Sequence, residues 1–576
     1  METNLTRYTT ADALLDAFQE TGISYLFSNL GSDHPAIIEG LAKARALGRP
    51  MPKVIICPHE YVALSAAHGY YQVSGQAQGV IVHTDVGTQN LGGSIHNAAR
   101  SRIPAFIFSG ETPSTMEGEL LGSRNSPINY LQNVFDQRGI VRGYVKWEYD
   151  IRTGKNIKQL VYRAMQLANT EPKGPVYLTG AREVLEEEVK PSKNHSFRWK
   201  PKEPMALPDA GIEQIITELS KAENPILITS YIGKNKDSVE ALVEFCEMFS
   251  IPIIESNPSY MNFPTEHPLH MGFEVNELLA EADVVIVMDC DVPWVPTICE
   301  PGDRCKVFII DIDPLKEKIP LAYIPAELTL QADSYLALSQ LLEFAKKAEI
   351  NQQVIEGRFL RIKDLHNQQR TQWRQQECYP SSGVITPEWI AACVRNVVDE
   401  DTIIVNETIT STNAVFKGIP RSKPGTMYGN GGSSLGWNGG AAIGAKLAQP
   451  DKTIVNLTGD GSYLFSVPSS VHWMSRKYQT PFLTIIFNNQ GWNATKMNLL
   501  KQHPNGVAKH EDQYWVNFDK PADLAKIAEA AGGAFAQTIS EPEELESAIR
   551  TAIEIVNSGR SAVIDVKMQP VSYQVD

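Results

Sequence analysis

Residues 453–491 read TIVNLTGDGSYLFSVPSSVHWMSRKYQTPFLTIIFNNQG, and this stretch decides the fold. An apolar strand, Thr453–Leu457, runs into Thr458-Gly459-Asp460-Gly461-Ser462. A helical stretch begins near Pro468, and a second apolar strand, Pro481–Phe487, ends in Asn488-Asn489-Gln490-Gly491. The residues between Gly461 and Asn488 suffice for one loop, one helix and one strand, which predicts a βαβ crossover. Both loops then emerge at the carboxyl ends of neighbouring parallel strands, where open α/β sheets bind ligands. Asp460 and Asn489 are expected to converge there. A carboxylate, an amide oxygen and the Gly491 carbonyl are hard oxygen donors suited to Mg²⁺ or Ca²⁺, yet short of a full set. A phosphorylated ligand would complete it, and backbone N–H groups around Gly461 and Ser462 suit the same phosphate oxygens.

Outward from that unit, the 576-residue chain alternates apolar strands with helical stretches in three segments. The pattern predicts an α/β protein of three doubly wound parallel-sheet domains. The first, 1–190, carries strand candidates Val54–Cys57, Gly79–His83, Ala105–Ser109 and Pro175–Thr179. The Pro-rich joint KPSKNHSFRWKPKEPMALP ends it. The second, 206–345, carries Pro225–Thr229, Pro252–Glu255, Ala282–Met288 and Val307–Ile312. A polar helical connector, 346–378, leads to the third, 379–576, with further strands at Thr402–Val405 and Ser561–Val566. Residues 79–110 and 452–489 share the order strand, Gly-containing loop, helix, basic residue, Pro and strand, which points to a divergent duplication.

Composition narrows the function. Hydrophobic residues at 43% and charged residues at 21% describe a globular chain rather than a disordered one. A net charge of −15, from 52 basic and 67 acidic residues, repels a nucleic-acid backbone, and no basic patch reverses it. The 7 cysteines include no CxxC pair, and Cys290, Cys299 and Cys305 lack zinc-knuckle spacing. The start, METNLTRYTT, has no signal-peptide pattern, and no apolar run reaches about 18 residues. A soluble, cytoplasmic protein without membrane or nucleic-acid partners is expected.

The first segment contains His59-Glu60-Tyr61-Val62-Ala63-Leu64-Ser65-Ala66-Ala67-His68-Gly69-Tyr70. With the GDG and NN elements it resembles the thiamine-diphosphate superfamily of pyruvate decarboxylase, acetohydroxyacid synthase and benzoylformate decarboxylase, over nearly the whole chain. The resemblance implies a pyrimidine-binding, a central and a diphosphate-binding domain in this order. It implies Mg²⁺ held by Asp460, Asn489 and the Gly491 carbonyl, with Gly459, Gly461 and Ser462 at the diphosphate. Glu60 matches the glutamate that pairs with N1′ of the aminopyrimidine and lets the 4′ nitrogen take the thiazolium C2 proton. HEYVA lacks the second His of HExxH, so a zincin is excluded.

Gly431-Gly432-Ser433-Ser434-Leu435-Gly436-Trp437 looks like the family's loop under the cofactor, with Ser433 at the cofactor and Leu435 as the residue that bends it. Residues 432–436 also spell GxSxG. A nucleophile elbow needs a buried strand leading into it, and GTMYGNG is a poor strand, so a serine hydrolase is rejected.

The resemblance implies a lyase acting on a 2-oxo acid through a C2 ylid and enamine, with aldehyde release or carboligation to an acceptor aldehyde. Asn29-Leu30-Gly31-Ser32, Val82-His83-Thr84 and Asn406-Glu407-Thr408-Ile409-Thr410-Ser411-Thr412 are similar to motifs of the benzoylformate decarboxylase branch. That likeness gives Ser32 the substrate carboxylate, His83 proton transfer, and Thr408 and Thr410 the diphosphate. Leu30 departs from that branch's Pro, and the segment around Ile286–Pro296 lacks its second pocket histidine. The alternative within the family is an acetolactate synthase joining two 2-oxo acids, which often carries FAD; no dinucleotide Gly fingerprint follows a strand here, but FAD sites of this family do not use one, so FAD stays open. A non-catalytic thiamine-diphosphate-binding protein is the distant alternative. The family also implies a homodimer or homotetramer with active sites between chains, Glu60 and the GDG loop coming from different subunits.

Overall fold

The computed structural model describes residues 5–275, 277–518 and 520–571. It contains three parallel sheets in three α/β units, as the apolar runs predict. The first sheet comprises β1 (Tyr25–Ser28), β2 (Lys53–Ile56), β3 (Gln78–Val82), β4 (Ala105–Glu111), β5 (Trp147–Asp150) and β6 (Val176–Ala181). The second comprises β7 (Pro225–Thr229), β8 (Ile253–Glu255), β9 (Val284–Met288), β10 (Lys306–Asp311) and β11 (Leu328–Gln331). The third comprises β12 (Ile403–Glu407), β13 (Met427–Gly429), β14 (Ile454–Gly459), β15 (Leu483–Asn488), β16 (Phe535–Ile539) and β17 (Ala562–Lys567).

Strand order in the first sheet is β2-β1-β3-β4-β6-β5, and in the third β13-β12-β14-β15-β17-β16. These are the same topology, element for element. The central strands are buried on both faces, which explains their continuous apolar reading rather than an alternating one. Register carries the site: Glu407 lies opposite Thr458, and Gly459 opposite Phe487. The strand ends of β12, β14 and β15 therefore open side by side at one rim.

Two expectations need correction. Residues 425–431 do hold a strand, the buried β13, paired through Met427 with Ile404. It is an edge strand, and irregular residues 430–433 separate it from Ser434, so it builds no nucleophile elbow. The polar stretch expected to act as a mere connector forms a 25-residue helix, Gln352–Gln376, that joins two cores. Its Ile362 enters the central core, while Trp373 stacks on Phe273, which stacks on Phe416 of the third unit.

The first and third units meet through the Glu60–Ser74 and Trp437–Ala448 helices. Small residues allow this approach. A Cβ on Gly440 would come within 2.6 Å of the Ser65 Cβ, and one on Gly444 would overlap the Ala66 carbonyl oxygen. Alanine in a helix interior is normally favoured over glycine by about 1 kcal/mol, whereas overpacking a close contact costs roughly 1–3 kcal/mol. The second effect wins because the obstruction is backbone. Gly444→Ala is therefore expected to lower the thermal midpoint despite its better helix propensity; an unchanged or higher midpoint by calorimetry contradicts the tight crossing.

Candidate functional site

The β14–β15 rim forms a cavity of about 260 Å³. Helical structure begins at Asp460 itself, over Asp460–Phe465, and restarts at Pro468–Tyr478 after Val467, whose φ of 54° breaks the run. The helix expected near Pro468 is thus present, and a short helix before it adds to that expectation. Asp460 thus sits at a helix N-terminus, with Oδ1 accepting from the Gly461 N–H at 2.8 Å and Oδ2 from the Gly491 N–H at 2.9 Å. Burial pushes its carboxyl up to about 6, because no cation offsets the lost hydration.

Asn488 is tied into the core by donating to Asp565 Oδ1 at 2.7 Å, and its own oxygen accepts from the Gln490 N–H at 3.1 Å. This turn leaves Asn489 facing the cavity. Asn489 Oδ1 is buried without a hydrogen-bond partner among the described residues. A buried carboxylate without a cation beside an orphaned amide oxygen fits a hard divalent ion. The donors are too few for a closed protein cage, and no cluster of three His, Cys, Asp or Glu completes one among the described residues. A phosphorylated ligand is the natural remainder.

Thr408, Thr410, Leu435, Gly459, Asp460, Gly461, Ser462, Asn489 and Gly491 all line this cavity. Trp492 and Asn493 line it too. Ser433 does not. Its hydroxyl meets His96 Nε2 at 3.0 Å, while Asn97 bridges Ser434 through both backbone groups, at 3.0 and 2.9 Å. These bonds fasten the 431–436 loop to the first unit.

The Leu435 loop is held from below by Glu407, a residue whose anchoring role its sequence position does not reveal. Its carboxylate accepts from the backbone N–H of Gly436 at 3.1 Å and of Asn438 at 3.1 Å, and from Asn438 Nδ2 at 2.6 Å. Burial pushes Glu407 up to about 7, opposed by these same donors. The carboxylate stands where the Trp437–Ala448 helix begins, as the helix dipole favours.

Glu60 opens its helix, capped by His59, and is buried. Its Oε2 accepts from Asn90 Nδ2 at 3.0 Å, and no ion pair involves it among the described residues. Gly87 separates it from His83: a Cβ there would lie 3.1 Å from Glu60 Oε1 and 3.4 Å from His83 Cβ. Glu60 and His83 are thus neighbours, but neither lines the 260 Å³ cavity. His83 Nδ1 pairs with Asp33 Oδ1, and Gln132 Nε2 donates to His83 Nε2 at 2.7 Å. The Asp33 hydrogen bond raises the His83 pKa against burial. Ser32 is exposed on the adjoining turn and makes none of these contacts. Asp33 follows the Asn-Leu-Gly-Ser motif directly and could have been noticed; Gln132 and Asn90 carry no local signal.

Known proteins resemble this chain along nearly its whole length. Models of the thiamine pyrophosphate enzyme N-terminal TPP-binding, central and C-terminal TPP-binding domains match residues 8–140, 212–341 and 409–566. The chain belongs to the thiamine pyrophosphate enzyme family. It is 24% identical to the acetolactate synthase isozyme 3 large subunit of Escherichia coli, over 89% of this chain and 87% of that one. It is also 24% identical to benzoylformate decarboxylase of Pseudomonas aeruginosa, over 98% and 99%. The fold of a thiamine diphosphate-dependent 4-hydroxybenzoylformate decarboxylase from Rhodococcus jostii superposes with a TM-score of 0.78 at 21% identity, covering 98% of this chain and 99% of that one. The family's TPP-binding domains are thus the two units whose sheets share one topology.

The Glu407 anchor gives a test within this family. Glu407→Ala leaves several buried N–H donors unpaired, each costing roughly 1–3 kcal/mol. The variant is expected to lose thermal stability and to bind thiamine diphosphate at least about tenfold more weakly, a loss of about 1.4 kcal/mol. Unchanged affinity by calorimetry would separate Glu407 from the Leu435 loop.

Proposed function

We propose that this chain is a thiamine diphosphate and Mg²⁺ dependent enzyme that decarboxylates a 2-oxo acid and then releases an aldehyde or joins the fragment to an acceptor aldehyde. The observation that carries it is the pairing of two features: the buried, cation-free Asp460 beside the orphaned Asn489 oxygen, and the buried Glu60 beside His83. The first holds a metal diphosphate. The second handles protons, which a mere binding protein does not need.

In this reading Asp460, Asn489 Oδ1 and the Gly491 carbonyl hold Mg²⁺, and the backbone of Gly461 and Ser462 with Thr408 and Thr410 takes the diphosphate. Leu435 supports the cofactor from beneath. Glu60 holds or moves a proton at the aminopyrimidine, and His83 Nε2 serves the substrate side. Bound thiamine diphosphate supplies an electron sink for the pair left behind when CO₂ departs. Because Glu60 stands outside the diphosphate cavity of its own chain, the complete site forms between two copies. Exposed Phe465 and Trp492 at the cavity, and exposed Leu131 and Phe135 at and just beyond the short Ile128–Leu131 helix of the first unit, offer the apolar surface for that pairing.

Short motifs favour the benzoylformate decarboxylase branch; the acetolactate synthase relatives keep the synthase as the second reading. FAD is left out. At the carboxyl ends of the central strands Arg102, Lys234 and Lys316 are paired with Asp291, Asp289 and Asp311, at 2.7, 3.1 and 2.7 Å. Flavin absorbance with acetolactate as product would turn the assignment to the synthase.

The experiment is CO₂ release across a panel of 2-oxo acids, with and without acceptor aldehydes, with Mg²⁺ and thiamine diphosphate supplied. Glu60→Gln is expected to keep cofactor binding by calorimetry while losing about 10²–10⁴ in rate. Asp460→Ala is expected to lose Mg²⁺-dependent cofactor binding. Consumption of no acid by the unaltered protein rejects the enzyme, and activity in a species that light scattering shows to be monomeric rejects the shared site.

A further inference from the structure

Asp33 and His83 form a built pair outside the cofactor cavity, and nothing in the family motifs accounts for Asp33. The carboxylate is 2% exposed. One oxygen faces His83 Nδ1, and the other accepts from the Thr84 N–H at 3.2 Å. Backbone closes over the pair from two sides. A Cβ on Gly31 would overlap His83 Nδ1 and stand 2.7 Å from Asp33 Oδ1, and one on Gly110, in β4, would overlap Asp33 Oδ2. Only glycine at these two positions leaves room for the carboxylate and the ring together.

A second imidazole competes for Asp33 and loses. His34 Nδ1 lies 3.2 Å from Asp33 Oδ1, but it accepts from the Gly31 N–H at 3.0 Å. An accepting nitrogen carries no proton, so it donates nothing to the carboxylate. Burial also lowers the His34 pKa and keeps that ring neutral. The carboxylate is left to His83. The charged and titratable groups facing His83 are Asp33 and His34 from the turn after β1, Glu60 across Gly87, and Asp85 on its own helix. Three of these are carboxylates, and Asp33 alone is hydrogen-bonded to the ring.

Resting on the function proposed above, we propose that Asp33 is the positioning residue of His83: it fixes one ring proton on Nδ1, so that Nε2 alone gains and loses a proton at the substrate. Gln132 completes the arrangement. Its amide N–H donates to the unprotonated Nε2 at 2.7 Å, and rotation of the same amide presents an oxygen to Nε2–H. His83 therefore has a partner in either state, and Nδ1 keeps its proton throughout. This is the orienting role a carboxylate plays behind a general-base histidine.

The test uses the intact protein with Mg²⁺ and thiamine diphosphate. In Asp33→Asn, ¹⁵N NMR is expected to show the His83 titration midpoint lowered by about 1–3 pH units, as loss of an adjacent opposite charge dictates. The His83-dependent limb of the kcat profile should move to lower pH with it, kcat should fall by about 10²-fold, and KM and thiamine diphosphate affinity should hold. Gly110→Ala, which displaces Asp33 from behind without altering it, should shift the midpoint in the same direction and serves if the first variant does not fold. An unmoved midpoint overturns the proposal, and so does a moved midpoint with an unmoved limb. The titration requires no turnover: should the unaltered protein consume no 2-oxo acid, the proposed function falls while the midpoint still decides whether Asp33 governs His83.

Discussion

A helix crossing too close for ordinary side chains sets the geometry on which the rest depends. The Glu60–Ser74 and Trp437–Ala448 helices each follow the second strand in order of their sheet, β2 and β13, and meet where Gly440 and Gly444 expose backbone to Ser65 and Ala66. The Tyr61 hydroxyl then donates to the Leu435 carbonyl at 2.6 Å. The residue after Glu60 is thus bonded to the loop that carries Leu435. The close approach has a cost: His68 is buried 5.4 Å from the Trp437 ring with neither nitrogen hydrogen-bonded, and burial drives its pKa down to about 3. It packs there as a neutral ring.

The two like sheets have divided their chemistry at equivalent strand ends. After β3 comes His83; after the matching β14 comes Asp460. After β1 comes the turn holding Asp33; the matching β12 ends in Glu407, which anchors a helix start. In the proposed function one sheet thus bears the proton-handling pair and the other the oxygen donors, on one shared strand order. Parallel sheets of this kind open loops at the same rim whatever side chains those loops carry.

What the sequence disclosed follows from range of interaction. The double-wound architecture was legible because buried parallel strands are continuous apolar runs, and the Asp460 and Asn489 convergence was legible because one crossover connects them. β5, β11, β13 and β16 escaped notice because they are sheet edges, short or half-exposed, with no apolar run. β1, four residues ending at Ser28, was missed as well. The helix at Asp460 was hidden by its glycines, which read as loop. Gln132 and Asn90 reach the site only through tertiary folding, so no spacing announces them. Ser433, placed at the cofactor by its motif, is turned toward His96, a partner 337 positions away.

The site's carboxylates share one electrostatic rule. Asp460 is met by two backbone N–H groups, Glu407 by backbone N–H groups and an amide, and Glu60 by an amide. No lysine or arginine lines the 260 Å³ cavity among the described residues. Neutral donors keep these oxygens ordered without saturating their charge, whereas a guanidinium would occupy their remaining lone pairs. A diphosphate entering such a cavity meets two kinds of positive potential, oriented N–H dipoles and whatever cation accompanies it. The dipoles alone face the anionic Asp460 beside them. In the proposed function a divalent ion held by that carboxylate would offset the repulsion, a role that no basic side chain among the described lining residues fills.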